Sequence, residues 1–231
     1  RAPISGMELT ENDTYRISEG IDFPEVILPD YYNGKKVTEI GNGAFSECKS
    51  MKTLVIGNCV TAIGAKAFGE CTLLTDVVLP DSVTDVGRYA FASCTNLVSV
   101  TIGRQVAHIG YYAFSECEKL VEVINNSALK IEKGIDDDDL GRVGYYALDV
   151  RAGEKSAIDR RDGCLFYRHG DTVYLLGYTG DRTALTLPDD YDGSAYEIYK
   201  FAFYRCDTLE SVIIGNSVKR IGEEAFYHCD N

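Results

Sequence analysis

The stretch Ile63-Gly64-Ala65-Lys66-Ala67-Phe68-Gly69-Glu70-Cys71 decides the fold, because its pattern Ile-Gly-x-x-Ala-Phe-x-x-Cys returns through most of the chain. Successive copies lie 23 residues apart, and after a break the pattern resumes near residue 200. A fixed period of this kind is typical of a solenoid, in which each coil packs on its neighbours. The recurring positions are Phe45, Phe68, Phe91, Phe114, Phe203 and Phe226, followed by Cys48, Cys71, Cys94, Cys117, Cys206 and Cys229.

A short strand pattern follows each of the regular turns. In Thr53-Leu54-Val55-Ile56, the positions of Leu54 and Ile56 are apolar in this repeat and in the next two. Side chains alternate between the two faces of a strand, so these two positions share one face. Leu54 and Ile56 are therefore expected inside the coil, and Thr53 and Val55 outside. Stacking these strands predicts a parallel sheet on one face, with the Phe-x-x-Cys segment as a short helical or 3-10 turn on the other. The predicted class is an α/β solenoid.

Two further features of the repeat carry structural expectations. The glycine after the isoleucine, as in Gly64 and Gly87, is expected to allow a tight bend or a positive φ. The recurring cysteines occupy one slot on the expected convex side, where neighbouring Cα atoms are usually farther apart than the roughly 7 Å that a disulfide tolerates. Free, buried thiols are therefore expected. Cys59 and Cys164 lie outside this slot.

The pattern predicts one solenoid domain over residues 1–231. Residues 1–24 are expected to cap the first coil, and residues 25–126 form a first run of repeats. Residues 127–182 form an irregular repeat and a β-hairpin excursion, and residues 183–231 form a second run. This second run stops before its last strand, so the sequence is expected to be part of a longer array.

The excursion breaks the regular spacing. Val143-Gly144-Tyr145-Tyr146-Ala147-Leu148 resembles the repeat turn and places Leu148 in the phenylalanine slot, 34 residues after Phe114, which implies an insertion of 11 residues. Two apolar strand patterns flank His169-Gly170-Asp171, which predicts a β-hairpin there.

Composition excludes several classes of partner. The chain has 36 acidic and 23 basic residues, a net charge of -13. Such a charge repels nucleic acid phosphates and anionic lipids. No apolar run approaches the roughly 20 residues that span a bilayer, so we expect neither nucleic acid binding nor membrane insertion of this chain. Residues 1–20 do not resemble a signal peptide, and the compartment is not evident from composition.

Few residues suggest chemistry. The three histidines, His108, His169 and His228, are expected at the surface. Asp136-Asp137-Asp138-Asp139 resembles a calcium loop, but an EF-hand starting at Asp136 would need ligands where Leu140 and Ala147 stand. A solvated loop is the expected alternative. No nucleotide, metalloprotease or hydrolase motif occurs, so we predict no cofactor, no metal and no catalytic activity.

The full repeat carries a resemblance. Leu74-x-x-Val77-x-Leu79-Pro80-x-Ser82-Val83-x-x-Val86-Gly87-x-x-Ala90-Phe91-x-x-Cys94 resembles the 23-residue repeat of the BspA-like leucine-rich-repeat family. The resemblance covers residues 25–126 and 183–231, with Leu148 in place of Phe and Tyr199 in place of Gly as departures. It implies a leucine-rich-repeat solenoid in an extracellular, surface-attached or secreted bacterial protein. It also implies binding to other extracellular proteins, since some members of the family are described as adhesins.

The outward strand positions are the candidate binding site, because solenoids commonly bind partners on extended surfaces. The alternative is that β-branched residues stand there for strand propensity alone. The candidate residues are Thr53, Val55, Asp76, Val78, Ser99, Thr101, Glu122, Ile124, Ser211 and Ile213.

A second patch is formed in sequence by the paired tyrosines Tyr111, Tyr112, Tyr145 and Tyr146. They could bind a partner, or they could serve packing between coils. Three functions follow from the sequence and the resemblance. The first is a noncatalytic protein-binding and adhesion module of a bacterial cell-surface or secreted protein. The others are a structural spacer in a larger surface protein and a glycan-binding module.

Overall fold

The computed structural model describes residues 4–231 and divides them into two compact units, one ending at Ser156 and one spanning Ala157–Asn231. In this range the chain forms twenty short β-strands and one 3-10 helix. The predicted solenoid of stacked parallel strands is confirmed, but the α/β class is wrong, because the structure is nearly all β. Residues 1–3 of the predicted cap lie outside the described residues. No helix in residues 4–231 has the length and hydropathy that a bilayer span requires.

The first unit contains two stacks of parallel strands. One sheet runs β1-β2-β5-β7-β9-β11, with β1 antiparallel to β2 and β4 antiparallel to β5. The other stack comprises β3-β6 and β8-β10-β12-β13, and it forms the strand face. The strands are β1 (Ile4–Leu9), β2 (Tyr15–Gly20), β3 (Glu25–Ile27), β4 (Tyr31–Tyr32), β5 (Lys35–Ile40), β6 (Thr53–Val55), β7 (Ala62–Ile63), β8 (Asp76–Val78), β9 (Asp85–Val86), β10 (Ser99–Ile102), β11 (His108–Ile109), β12 (Glu122–Asn125) and β13 (Asp149–Arg151).

A column of phenylalanines forms the centre of the first unit. Phe45, Phe68, Phe91 and Phe114 are at most 1% exposed, and successive ring centroids are 5.3, 5.1 and 5.3 Å apart with nearly parallel planes. Leu54 and Ile56 are buried as the alternation predicts. The coils therefore pack through one continuous apolar core, in which the Phe68 and Phe91 rings each stack on a ring of the coil before and a ring of the coil after.

The wall opposite the strand face is not helical, although helical or 3-10 turns were expected there. Lys66 and Glu70 adopt left-handed φ values of 54° and 60°. These left-handed residues reverse the direction of alternate peptide groups. Every second amide therefore donates to the next coil. The intervening amides donate within their own coil, as the Ala67 amide does to the Gly64 carbonyl. A helix would direct all its amides along its own axis. The amides of Lys66, Phe68 and Glu70 donate to the carbonyls of Arg88, Ala90 and Ala92.

The repeat glycines serve close packing between backbones. Gly64 and Gly87 do not have positive φ, so of the two expected roles the positive φ is wrong. A Cβ on Gly64 would lie 2.6 Å from the backbone nitrogen of Asn42 in the preceding coil, and one on Gly87 would lie 2.6 Å from that of Ala65. Glycine is needed because the coils touch here through main chain.

The cysteines are free thiols. In the first unit they form a buried ladder in which the Cys94 thiol donates to the Phe68 carbonyl at 3.3 Å and the Cys117 thiol donates to the Phe91 carbonyl at 3.2 Å. Burial raises the pKa of Cys117 to about 12. Burial, with a smaller contribution from Asp22, raises the pKa of Cys48 to about 11. These thiols are held in the unreactive, protonated form.

This protection predicts the order of thiol alkylation. At about pH 8, iodoacetamide is expected to modify the half-buried Cys59, Cys206 and Cys229, while Cys94 and Cys117 stay unmodified. Peptide mass spectrometry of native protein checks this, with protein in concentrated guanidinium as the control in which all eight thiols react. Modification of native Cys94 at the rate of Cys59 would contradict the buried ladder.

The irregular coil is shorter than the sequence suggested. Asp149 pairs with Glu122, 27 residues before it, where regular neighbours such as Ser99 and Glu122 are separated by 23. Leu148 accordingly aligns with Val121, so its placement in the phenylalanine slot is wrong. Pairing between β12 and β13 sets the register, because a shift by one residue would turn the inward side chains outward.

The acidic insertion forms the 3-10 helix η1 (Asp138–Leu140). The Asp137 carboxylate caps it by accepting from the amides of Asp139 at 3.0 Å and Leu140 at 3.3 Å. Gly141 ends it with a φ of 62°, and its carbonyl accepts from the amide of Phe114 at 2.8 Å. The insertion is thereby joined to the turn wall.

The second unit repeats this design on a smaller scale. β15 and β16 are antiparallel, and β16, β18 and β20 continue as parallel strands. β17 and β19 pair in parallel, and the rings of Phe203 and Phe226 stack with centroids 4.8 Å apart. The strands are β14 (Asp159–Arg161), β15 (Cys164–His169), β16 (Thr172–Tyr178), β17 (Ala184–Thr186), β18 (Tyr196–Ile198), β19 (Ser211–Ile213) and β20 (Val218–Ile221).

Candidate functional site on the strand face

The strand face of the first unit presents two outward columns of side chains. Strand register within β3-β6 and β8-β10-β12-β13, together with the repeat spacing, aligns equivalent positions of successive coils. The first, acidic column is Glu25, Thr53, Asp76, Ser99, Glu122 and Asp149. The second, apolar column is Ile27, Val55, Val78, Thr101, Ile124 and Arg151.

The half of this face formed by β3, β6 and β8 is open. Ile27, Val55 and Val78 are 50%, 47% and 58% exposed, which makes an apolar stripe across three adjacent strands. Glu25 and Thr53 are exposed beside it, and Asp76, half-buried, accepts a hydrogen bond from the Thr75 hydroxyl at 2.7 Å. Glu25 and Ile27 were not among the predicted site residues. The alternation in Glu25-Val26-Ile27-Leu28 could have identified them.

The other half of the face is covered. Several residues that were predicted to be exposed there are therefore buried. Ser99 is 3% exposed, and Glu122 and Ile124 are fully buried; Thr101 is half-buried. The chain after β13 folds back onto these strands and is held there by a hydrogen bond of 2.6 Å, which the Ser156 hydroxyl donates to Glu122.

Glu122 is the centre of a buried polar cluster. Its Oε1 accepts from Arg151 Nη2 at 2.6 Å, and its Oε2 accepts from the hydroxyls of Ser156 at 2.6 Å and Ser99 at 3.0 Å. Arg151 Nη2 also donates to the Lys155 carbonyl at 2.8 Å. Such a buried carboxylate is held by its charged partner and hydrogen bonds, and it serves the structure rather than a ligand.

The predicted site residues of the second unit lie on β19. Ser211 pairs with Ala184 and Ile213 with Thr186 of β17. Both Ser211 and Ile213 are exposed, as expected. They form a small exposed surface of the second unit.

The tyrosine patch is occupied by packing at its centre. The Tyr112 ring stacks on Tyr89 at 5.5 Å, meets the edge of Tyr111 at 4.1 Å, and lies 4.4 Å below the Arg142 guanidinium. Tyr145 and Tyr146 pack on each other at 4.6 Å. The packing alternative therefore accounts for Tyr112.

The acidic loop is tied to the same cluster. Arg142 Nε lies 2.7 Å from the Asp136 carboxylate and 2.8 Å from that of Asp138. The hydrogen bond from Arg142 holds the pKa of Asp138 below its usual value. These carboxylates are engaged by a guanidinium, and among residues 4–231 no group of three or more His, Cys, Asp or Glu side chains is arranged to hold a metal ion.

The remaining candidates for chemistry lie apart from the strand face. His108 and His228 are exposed, and His228 packs on the Tyr227 ring at 4.2 Å. Two shallow cavities have volumes of about 240 and 200 Å³. The first is lined by Leu209, Phe226 and Asn231 among others, and the second lies beside Gly41 and Gly64. Neither is lined by residues 127–182, where a glycan site would have needed convergent tyrosines and carboxylates.

The repeat is shared with a known family. A model of the BspA type leucine rich repeat region matches residues 23–135 and 183–231 in six copies. The chain belongs to the BspA-type leucine-rich-repeat family. The match covers the coils that build the open strand face of this BspA-type chain and leaves out residues 1–22 and 136–182.

Several solved structures are similar to the chain. The Treponema pallidum leucine-rich-repeat protein is 21% identical over 64% of this chain and 96% of its own, with a TM-score of 0.37. A Bacteroides capillosus leucine-rich-repeat protein is 23% identical over 51% and 91%, with a TM-score of 0.41. The pneumococcal vaccine antigen PcpA is 16% identical over 96% and 51%, with a TM-score of 0.38. A search among curated proteins finds no match.

Proposed function

We propose that this chain is a noncatalytic protein-binding module of a bacterial cell-surface or secreted protein, and that it adheres to extracellular proteins of a host or of neighbouring cells. The observation that carries the proposal is the open apolar stripe of Ile27, Val55 and Val78. Apolar side chains exposed side by side on a rigid sheet are typical of an interaction surface, since covering them removes apolar area from water.

Family membership supports the location and the kind of partner. BspA-type repeats are typical of bacterial surface proteins, and the extended face of a solenoid is suited to macromolecular ligands. On the strand face, the hydroxyls of Ser99 and Ser156 donate to a Glu122 carboxylate that is fully buried and ion-paired with Arg151, and this structural arrangement supports a role without catalysis.

Replacing Val55 and Val78 by lysine is expected to weaken capture of the partner, because each substitution places a charge where an apolar contact would form. A pull-down against extracellular matrix proteins and glycan arrays compares wild type with Val55→Lys/Val78→Lys. The affinity for the captured partner is expected to fall at least tenfold, which corresponds to about 1.4 kcal/mol in binding free energy.

The matched control is Gln105→Lys/Ala107→Lys, which adds the same charge at two exposed positions before β11. Far-UV circular dichroism checks that both variants fold. Equal capture by both variants would remove the strand face from the proposal. No capture by any form of the protein would favour the spacer, and capture by glycans alone would favour the glycan-binding module.

A further inference from the structure

The open strand face has a repeat distance that limits what can lie along it. Successive phenylalanine rings, one per coil, are 5.1 to 5.3 Å apart, and neighbouring strands of a sheet are about 4.8 Å apart. Ile27, Val55 and Val78 therefore present one apolar group about every 5 Å along the stack. A partner that follows the stripe must present apolar groups at the same interval.

An α-helix meets this requirement and an extended strand does not. The pitch of a helix is about 5.4 Å, so residues one turn apart stay within about 1 Å of register over three coils. Residues on the same face of an extended strand are about 6.6 Å apart and would be about 3 Å out of register over the same distance. The stripe thus favours a helix whose axis runs along the stack of coils.

The border of the stripe specifies the charge of this helix. The acidic column runs beside the stripe, with Glu25 exposed and Asp76 half-buried on the open strands. None of the six outward positions on β3, β6 and β8 carries a cationic side chain. The net charge of the chain is -13, which disfavours an acidic partner at any distance within the Debye length.

We propose that the open strand face binds an amphipathic helix of a partner protein. Apolar residues one turn apart on this helix contact Ile27, Val55 and Val78, and lysines or arginines on its flank lie next to Glu25 and Asp76. Three coils correspond to about three turns, or roughly 11 residues of helix. The proposal deepens the proposed function by specifying the chemistry of the partner, and it rests on the strand face being the binding surface.

Synthetic helices test the proposal directly. The probes are two peptides of about 18 residues with the same leucine stripe, one flanked by lysine and one by glutamate. A third peptide is the lysine form with two central prolines, which cannot remain helical. Fluorescence anisotropy at about 0.15 M salt measures each affinity for the full chain, and amide NMR shifts locate the contact.

The lysine-flanked helix is expected to bind and to shift the amides of β3, β6 and β8. Its affinity is expected to fall at least tenfold for Val55→Lys/Val78→Lys relative to the control Gln105→Lys/Ala107→Lys, which has the same net charge. The glutamate-flanked and proline-containing peptides are expected to bind wild type at least tenfold more weakly.

Equal binding of the proline-containing peptide, or equal binding to both lysine variants, would overturn the helix proposal. The result of the peptide-binding experiment can be distinguished from the result of the pull-down. Partner capture that depends on Val55 and Val78, without binding of the helical probe, would leave the proposed function in place and overturn the helical partner. Loss of dependence on this face in both experiments would overturn both.

Discussion

Replacing Phe91 by alanine is expected to lower the free energy of unfolding by about 3 to 5 kcal/mol, the usual cost of removing a large buried ring. Phe91 is fully buried between Phe68 and Phe114, with ring centroids 5.1 and 5.3 Å away. The substitution removes two stacked ring pairs and leaves a cavity at the junction of three coils. In a solenoid, stability comes from such nearest-neighbour interfaces, so the coils on either side should separate more readily.

Urea denaturation followed by far-UV circular dichroism measures this loss. The control is Leu73→Ala, which removes an apolar side chain that is 39% exposed in the same unit and is expected to cost less than about 1 kcal/mol. A loss below about 1 kcal/mol for Phe91→Ala would mean that the ring column is not the main source of packing energy.

Replacing Glu122 by alanine is expected to cost about 3 kcal/mol, at the lower end of the range for breaking a buried ion pair. The substitution removes the carboxylate that Arg151, Ser99 and Ser156 share in the covered half of the strand face. The Arg151 side chain is 37% exposed, so water can solvate part of its charge, and this places the cost at the lower end.

The matched control for Glu122 is Glu25→Ala, which removes a carboxylate from the same column where it is exposed. This change is expected to stay within about 0.5 kcal/mol of wild type in urea denaturation. Hydrogen exchange at residues 151–156 should also increase in Glu122→Ala, because the segment loses its anchor. Equal costs for both variants would show that the buried cluster does not stabilise the covered half.

The sequence predicted the stacking direction and the inward positions correctly. Leu54 and Ile56 are buried, and Val55 and Val78 are exposed. Successive side chains of a strand point to opposite faces, so adjacent residues in the sequence are enough to predict these directions. The prediction of helical or 3-10 turns in the wall opposite the strand face was wrong. The left-handed positions of this wall are occupied by residues such as Lys66 and Glu70, and these residue types are also common in helices. Their conformation is stabilised by amides that bond to the next coil.

The candidate site divides in the same way. Repetition at 23 residues by itself determined that the chain is a solenoid and which positions point outward. The residues of the repeat resemble the BspA-type family, and the family match confirms that resemblance. The tertiary structure alone decided which of those positions are open. Glu122 is covered because it pairs with Arg151, 29 residues later, and an irregular coil of 27 residues brings the two together. Periodicity records the direction of a side chain, whereas its burial depends on contacts between residues distant in sequence.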